Sequence, residues 1–294
     1  MRLTPRALKE WAIEKAILLS GVFSILFVVL IFLFLLREGL ALFRSVGVFD
    51  FLFGKNWYPI STPPQFGILP LILGSLIVTL GAAMISVPIG IAAALFIAEI
   101  APRRLKEILK AGIELLAAIP SVVIGFIGMI TLGPWIKAAF RIPTGLTALS
   151  GSITLAFMAM PTIVSIAEDA ITAVPRQYRE AAIAMGATRW QTTWRIVARA
   201  ARPGMLAAVM LGIGRVIGET MAVMMVTGNA ALIPKGFLQP VRTLTATIAA
   251  EMGETVQGGA HYAALFAIGI VLFIITFLIN GVADLYLHRS RQRS

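Results

Sequence analysis

The sequence predicts an all-α polytopic membrane protein with six transmembrane helices. Three observations carry that prediction. Of the 294 residues, 59% are hydrophobic and 13% charged, whereas a soluble globular chain carries about a quarter charged residues. The apolar residues come in long blocks, not in the narrow stripe of a surface helix. Lysine and arginine collect in the connections between those blocks, a distribution that membrane topology explains.

Crossing the hydrocarbon core takes about 20 mostly apolar residues at about 1.5 Å each. Six stretches qualify, roughly 16–36, 68–98, 113–136, 146–166, 205–227 and 263–287. The first follows Arg2, Arg6, Lys9 and Lys15 and ends at Arg37-Glu38. It is longer than a secretory signal core of about 7–15 residues, so it reads as a retained helix. The second contains Pro88, the third Pro120 and the fourth Pro161. Each proline leaves backbone groups that neighbouring helices or polar side chains must satisfy. The chain thus divides into a tail, first helix and external loop (1–66), a membrane domain (67–287) and a C-terminal tail (288–294).

With the N-terminus inside, 17 lysines and arginines fall on the inner side and 7 on the outer. The positive-inside rule therefore predicts both termini in the cytoplasm, and the even helix count agrees. The net charge of +11 invites a nucleic-acid partner, but the basic residues lie in short segments and form no binding module or basic face. There is no cysteine, which excludes disulfides, thiolate chemistry and cysteine-based metal sites. His261 and His288 have no metal-like spacing and read as ordinary residues near helix ends. No phosphate-cradling Gly-x4-Gly-Lys-Ser/Thr loop occurs, so no ATPase site is expected in this chain.

Three connections fall outside. The first, 38–67, contains Phe51-Leu-Phe-Gly-Lys-Asn-Trp-Tyr-Pro59, in which Trp57 and Tyr58 suit interfacial anchors. The second, 137–145, is short. The third, 228–262, is long and rich in glycine and polar residues, which reads as functional or mobile.

The inner connection 167–202 holds Val174-Pro175-Arg-Gln-Tyr-Arg-Glu180-Ala-Ala-Ile-Ala-Met-Gly186-Ala-Thr-Arg-Trp190. Pro175 suits the start of a helix, and Ala181, Ala182 and Ala184 are strong helix formers with little bulk. Gly186 ends or bends that helix, and Thr188 suits the cap of a second one. The product is a short, smooth helix with Tyr178, Ile183 and Met185 as apolar knobs. Two readings stand: insertion into a groove on a partner, or a helix lying on the membrane surface with its arginines on headgroups.

Arg215 lies about ten residues from the inner end of the fifth helix, so roughly 15 Å deep. Glu219 follows one turn farther out on the same face. A charge at that depth costs at least about 2.5–3.5 kcal/mol on insertion scales. The two either compensate each other as an ion pair or line a translocation path, and intramembrane ionisable residues default to function. The arginine fork suits the oxygens of a tetrahedral oxyanion. Gly214 and Gly218 form a small-xxx-small pattern for close helix packing. Ser75 with Thr79, and Thr276 with Asn280, are spaced as interhelical hydrogen-bond groups.

Glu180-Ala181-Ala182, then Gly186 and Ile196, resembles the EAA motif of ABC-importer permeases. The usual Leu-Pro close is replaced by Ala198-Arg199, with Pro203 later. The resemblance implies a type I, MetI-like transmembrane domain in which the segment near 175–200 docks on the ATPase subunit. Tyr178, Glu180, Ala181, Ala182, Ile183, Met185 and Gly186 are then the coupling residues. Phe51–Pro59 with Phe66-Gly-Ile-Leu-Pro70, Ile119-Pro-Ser121, Gly218-Glu-Thr-Met-Ala222 and Thr243-Leu-Thr-Ala246 narrows the resemblance to phosphate importers. Within these it is similar to the PstC-type permease more than to the PstA-type sister. The family implies a heterodimer with that sister, two ATP-binding subunits and an external phosphate-binding protein. ATP is then used by a partner, and this chain binds no cofactor and no metal. Arg215 and Glu219 suit any tetrahedral oxyanion, so a sulfate or molybdate permease is the runner-up. A stand-alone secondary transporter is expected to show an internal repeat, and none is evident.

Overall fold

The computed structural model describes residues 5–291, with side chains from Glu10 to Gly281 except Ala12. Arg2, Arg6, Lys9, His288 and the expected C-terminal tail therefore lie outside the described side chains. Helix α1 (Pro5–Gly39) is apolar on every side over residues 16–36, the pattern of a span surrounded by lipid. Its most apolar stretch has 0% of its residues buried within the chain. Phe32 stacks on Phe273 at 4.6 Å, and Phe34 meets Phe266 edge-on at 5.4 Å.

A short helix α2 (Val48–Phe53) leads into two short antiparallel strands, β1 (Trp57–Tyr58) and β2 (Gln65–Phe66). Trp57 pairs with Phe66 and Tyr58 with Gln65. Helix α3 (Leu69–Leu95) then crosses back and closes in a π-helical turn, Phe96–Ile100.

The third predicted span, 113–136, is corrected. An amphipathic helix α4 (Arg103–Ala118) precedes it, and the crossing is made by α5 (Ser121–Ile127) and α6 (Gly133–Phe140), joined by a π-helical turn. The apolar span runs Ser121–Phe140. The cause is Pro120. It disfavours helical backbone at the residue before it, and Ile119 is extended at φ −68°, ψ 127°.

Helix α7 (Ala148–Thr172) is the central post, with 61% of its apolar window buried against 39% for α3. Three clusters of core residues run down the α3–α7 seam and its neighbours. Phe51, Ile68, Leu71, Leu244, Leu265 and Ile268 fill the end where α3 begins. Val78, Ala82, Leu155, Ile163 and Val216 fill the middle. Ala94, Ile97, Ala167, Ile171 and Val197 fill the end where α3 closes.

Past α7 come α8 (Arg176–Ala184), α9 (Arg189–Gln191), α10 (Ala198–Ala200), α11 (Arg202–Ile217) and α12 (Met221–Val226). A π-helical turn, Thr192–Val197, joins α9 to α10. The fifth predicted helix is therefore not continuous. The segment 189–200 meets α11 at a bend of 70°, and α11 stops before Gly218. Gly218 is a poor helix former, and Thr220 Oγ1 turns back to the Gly218 carbonyl at 3.2 Å, which competes with helix continuation.

The long external connection is also corrected. Its second half is a short helix, α13 (Leu244–Glu251), with Leu244, Thr245, Ala246 and Thr247 buried. Thr243 Oγ1 caps it by accepting from the Ala246 N–H. The Ser75 hydroxyl of α3 accepts from the Leu244 N–H at 3.0 Å. A Cβ added at Gly74 would lie 2.3 Å from the Arg242 carbonyl oxygen, so this glycine lets the connection lie directly on α3. The chain ends in α14 (Ala260–Arg291). Among the described residues, five helices are long and apolar enough to cross a membrane, or six if the bent 189–217 pair is one span.

Candidate functional site

The segment after Pro175 folds as its residues dictate. Pro175 is extended and starts α8, whose residues are all at least partly exposed. Gly186 takes φ +83°, a left-handed turn that L side chains adopt at a penalty of roughly 1–2 kcal/mol. Thr188 then opens α9 with a capping box: its hydroxyl accepts from the Gln191 N–H, and Gln191 Oε1 accepts from the Thr188 N–H. Glu180, Ala181, Ala182, Ile183 and Met185 share one exposed projection with Tyr178. Beside them opens a recess of about 550 Å³ lined by Tyr178, Ala181, Ala182, Met185, Gln191 and Arg195.

One side chain fastens this projection to the membrane helices. Arg179 Nη2 donates to Glu99 Oε1 at 2.6 Å, and its Nε reaches the same carboxylate at 3.1 Å. The same guanidinium donates to the carbonyls of Val174 at 2.6 Å and Ile171 at 3.1 Å. Glu99 belongs to the π-helical close of α3, Ile171 to the last turn of α7 and Val174 to the chain just past its end. The side chains of Arg179 and Glu99 are only 21% and 11% exposed. A planar fork that satisfies a carboxylate and two helix-end carbonyls together sets distance and direction at once.

A second clamp lies near it. Lys106 Nζ of α4 approaches Glu168 Oε1 at 2.6 Å, and Lys110 Nζ approaches Glu168 Oε2 at 2.9 Å. Thr172 Oγ1 donates to Glu168 Oε1 at 3.0 Å. The hydrogen bond that Lys110 donates to Glu168 raises the Lys110 pKa above the ordinary lysine value, against the opposing pull of burial. Helix α4 is thereby fixed to the end of α7 at the same basic face that carries Arg179.

Arg215 and Glu219 do not pair. Arg215 Nη1 donates to Thr162 Oγ1 of α7 at 3.2 Å, and the rest of its side chain is exposed. Glu219 lies in the break between α11 and α12, where its Oε1 accepts from the Ala222 N–H at 3.3 Å. Its carbonyl accepts from Thr245 Oγ1 of α13 at 2.8 Å. The expected one-turn spacing along a single face fails because the helix ends between the two residues. Arg215 thus faces out of the chain's own core, and no carboxylate neutralises it among the described residues.

Gly214 has only Asn280 Oδ1 near its added Cβ, at 3.9 Å, and Gly218 meets only carbonyls of its own preceding turn. The close approach within the chain is made by Gly212, whose added Cβ would lie 2.4 Å from Ile163 Cγ1.

Residues 86–292 match the family of binding-protein-dependent transport system inner membrane components. This chain belongs to that family. The chain is 43% identical to a probable ABC transporter permease protein, YqgH, of Bacillus subtilis, over 85% of this chain and 82% of the relative. It is 37% identical to the phosphate transport system permease protein PstC of Mesorhizobium japonicum, over 84% and 80%. The PstC protein of Haemophilus influenzae is 30% identical over 93% and 92%. Among solved structures, a bacterial alginate ABC transporter superposes with a TM-score of 0.67 at 16% identity, covering 99% of this chain and 98% of the other. The MetNI methionine ABC transporter gives 0.58 at 19% identity, over 74% and 92%. These two likenesses show the fold, an ABC-importer transmembrane domain of MetI type.

The structure brings together residues that no local sequence pattern links. Glu99 is a lone carboxylate at the end of an apolar run, 80 positions from Arg179, and nothing local links the two. Glu251 joins Trp57, Arg242 and His261 beside the start of α14. Trp57 is only 2% exposed, so it is an interior hydrogen-bond donor and not an interfacial anchor. His261 approaches Glu251 at 2.8 Å, so it is part of a network where a bystander was expected.

Substituting Gly186 tests the projection. Gly186→Val is expected to cost about 1–2 kcal/mol at the turn and to reduce co-purification of an ATP-binding subunit several-fold, with membrane insertion unchanged. Undiminished co-purification counts against the projection as a docking element.

Proposed function

We propose that this chain is a permease subunit of an ATP-driven ABC importer that moves inorganic phosphate into the cytoplasm. It works beside a sister permease of PstA type, on two copies of an ATP-binding subunit, and receives phosphate from an external binding protein. Both termini face the cytoplasm. Residues 67–287 form the transport domain, 1–66 add the outer helix and external loop, and 288–294 are a tail. The chain performs no chemistry: ATP is hydrolysed by its partner.

The observation that supports this reading best is the exposed α8 projection fastened by Arg179 to the inner ends of α3 and α7. A partner that moves α8 moves both helices with it. Tyr178, Glu180, Ala181, Ala182, Ile183, Met185 and Gly186 are the docking residues in this scheme. Arg215 and Glu219 are the pathway residues. With no internal counter-ion, Arg215 offers its fork to a passing oxyanion, and the hydroxyl of Thr162 holds it in place. Gly214 and Gly218, open on this chain's side, suit packing against the sister permease. Phosphate as the anion is supported by the phosphate transport relatives.

The test is uptake by membrane vesicles carrying this chain with candidate sister, ATP-binding and binding-protein partners. ATP-dependent accumulation of phosphate over sulfate and molybdate is expected. Preference for sulfate or molybdate changes the substrate. Phosphate flux through this chain alone without ATP replaces the importer by a secondary transporter.

A further inference from the structure

We propose that the recess between the inner end of α3 and the bend before α11 binds the phosphate headgroup of an anionic membrane phospholipid. The recess has a volume of about 260 Å³, with Ile91, Leu95 and Met205 among its apolar walls and Arg199, Arg202 and Trp194 on its polar side. The proposal is independent of which anion is transported.

Four observations converge on it. First, the inner basic face divides its charges unevenly. Lys106 and Lys110 are satisfied by Glu168, and Arg179 by Glu99. The guanidinium groups of Arg199 and Arg202 have no carboxylate or hydrogen-bond partner among the described residues. Second, the 70° bend turns the segment 189–200 away from the spanning direction of α11, as an interfacial helix lies. Third, Trp190 and Trp194 stack on that segment, with centroids 6.2 Å apart and planes 7° apart, and both are more than half exposed. Exposed tryptophans at a helix–membrane boundary sit at headgroup level. Fourth, the apolar walls meet two arginines at one opening, so the recess matches a molecule that is apolar at one end and anionic at the other.

The chemistry is that of a phosphodiester. Two arginine forks match phosphate oxygens, and basic pockets between membrane helices on the cytoplasmic side suit anionic headgroups. The ester's glycerol and first acyl carbons would lie on Ile91, Leu95 and Met205. Free phosphate shares the headgroup's oxygens but leaves those walls empty. The recess is also not the Arg215 surface. Arg202 and Arg215 are thirteen positions apart on α11, which is about 140° around the helix.

Native mass spectrometry of the purified transporter complex tests this, titrated with phosphatidylglycerol or phosphatidylcholine. Selective retention of phosphatidylglycerol is expected. Combining Arg199→Gln with Arg202→Gln should weaken that retention about thirtyfold. The paired lysine variant, Arg199→Lys with Arg202→Lys, should keep most of it and so rule out a folding defect. Arg103→Gln with Arg104→Gln, a change of equal charge on the same face, should leave it unaltered. The proposal is overturned by equal retention of both lipids or by equal loss in the Arg103 and Arg104 variant. It is also overturned by full displacement with inorganic phosphate, which makes the recess a free-anion site. Lipid retention only after the ATP-binding subunits are stripped away overturns it as well, since the face is then a protein interface.

Discussion

Replacing Arg179 by alanine is expected to lower ATP-driven phosphate uptake at least tenfold, about 1.4 kcal/mol of coupling, while the ATP-binding subunit stays bound. The two effects separate because Tyr178, Ile183 and Met185, the proposed docking side chains, are exposed, whereas Arg179 points back to Glu99, Ile171 and Val174. Losing one partner of a largely buried pair costs about 3–5 kcal/mol when the other charge is left unpaired. Arg179 keeps 21% exposure, so water offsets part of that. The projection then remains in place but is hinged loosely on α3 and α7, and motion of the ATPase is no longer delivered to them. Glu99→Gln should behave alike and more mildly, since the amide still accepts one hydrogen bond. Arg179→Lys should recover little, because an ammonium cannot hold a carboxylate and two carbonyls in one plane. ATP hydrolysis and phosphate accumulation measured on the same proteoliposomes decide the matter. Hydrolysis that persists while accumulation collapses is the expected result. Unimpaired accumulation by Arg179→Ala removes the residue from the coupling route.

The second large effect is expected at Arg215. Arg215→Gln should abolish phosphate uptake to within background, at least about a hundredfold, with insertion and partner association intact. Its guanidinium makes one hydrogen bond, to Thr162, and no ion pair. Removing it therefore leaves no buried carboxylate stranded and little structural penalty. An interior charge without a counter-ion is costly in a membrane, and an oxyanion in transit is the compensation the proposed function assigns. Glu219 acts differently. It accepts from the Ala222 N–H at the start of α12, so Glu219→Gln should alter uptake more weakly than Arg215→Gln. Equal uptake by Arg215→Gln and the wild type would take the pathway role away from this residue.

Much of the architecture was legible in the residues alone. Apolar blocks of membrane-crossing length are set by bilayer thickness, which does not depend on tertiary context. The α8 turn was legible too, because Pro175, Gly186 and the Thr188–Gln191 box act through backbone chemistry within a few residues. Pro120 stands in the sequence, yet the apolar run on either side of it reads as one span. Hydropathy averages over a window, while a proline acts on the residue beside it. The break at Gly218–Thr220 was less legible, since the Glu219 carbonyl is stabilised by Thr245 from a distant segment.

Read from its residues alone, the chain crosses a membrane, carries a small alanine-rich projection in a basic connection and places an arginine in an otherwise apolar helix. Hydrophobic length, charge asymmetry and local turn chemistry suffice for that. Packing in three dimensions brings Arg179 onto Glu99 across 80 positions, holds Arg215 and Glu219 apart and buries Trp57 against Glu251. Each depends on where the α3–α7 seam brings distant groups together, and pairing at such separations leaves no local pattern.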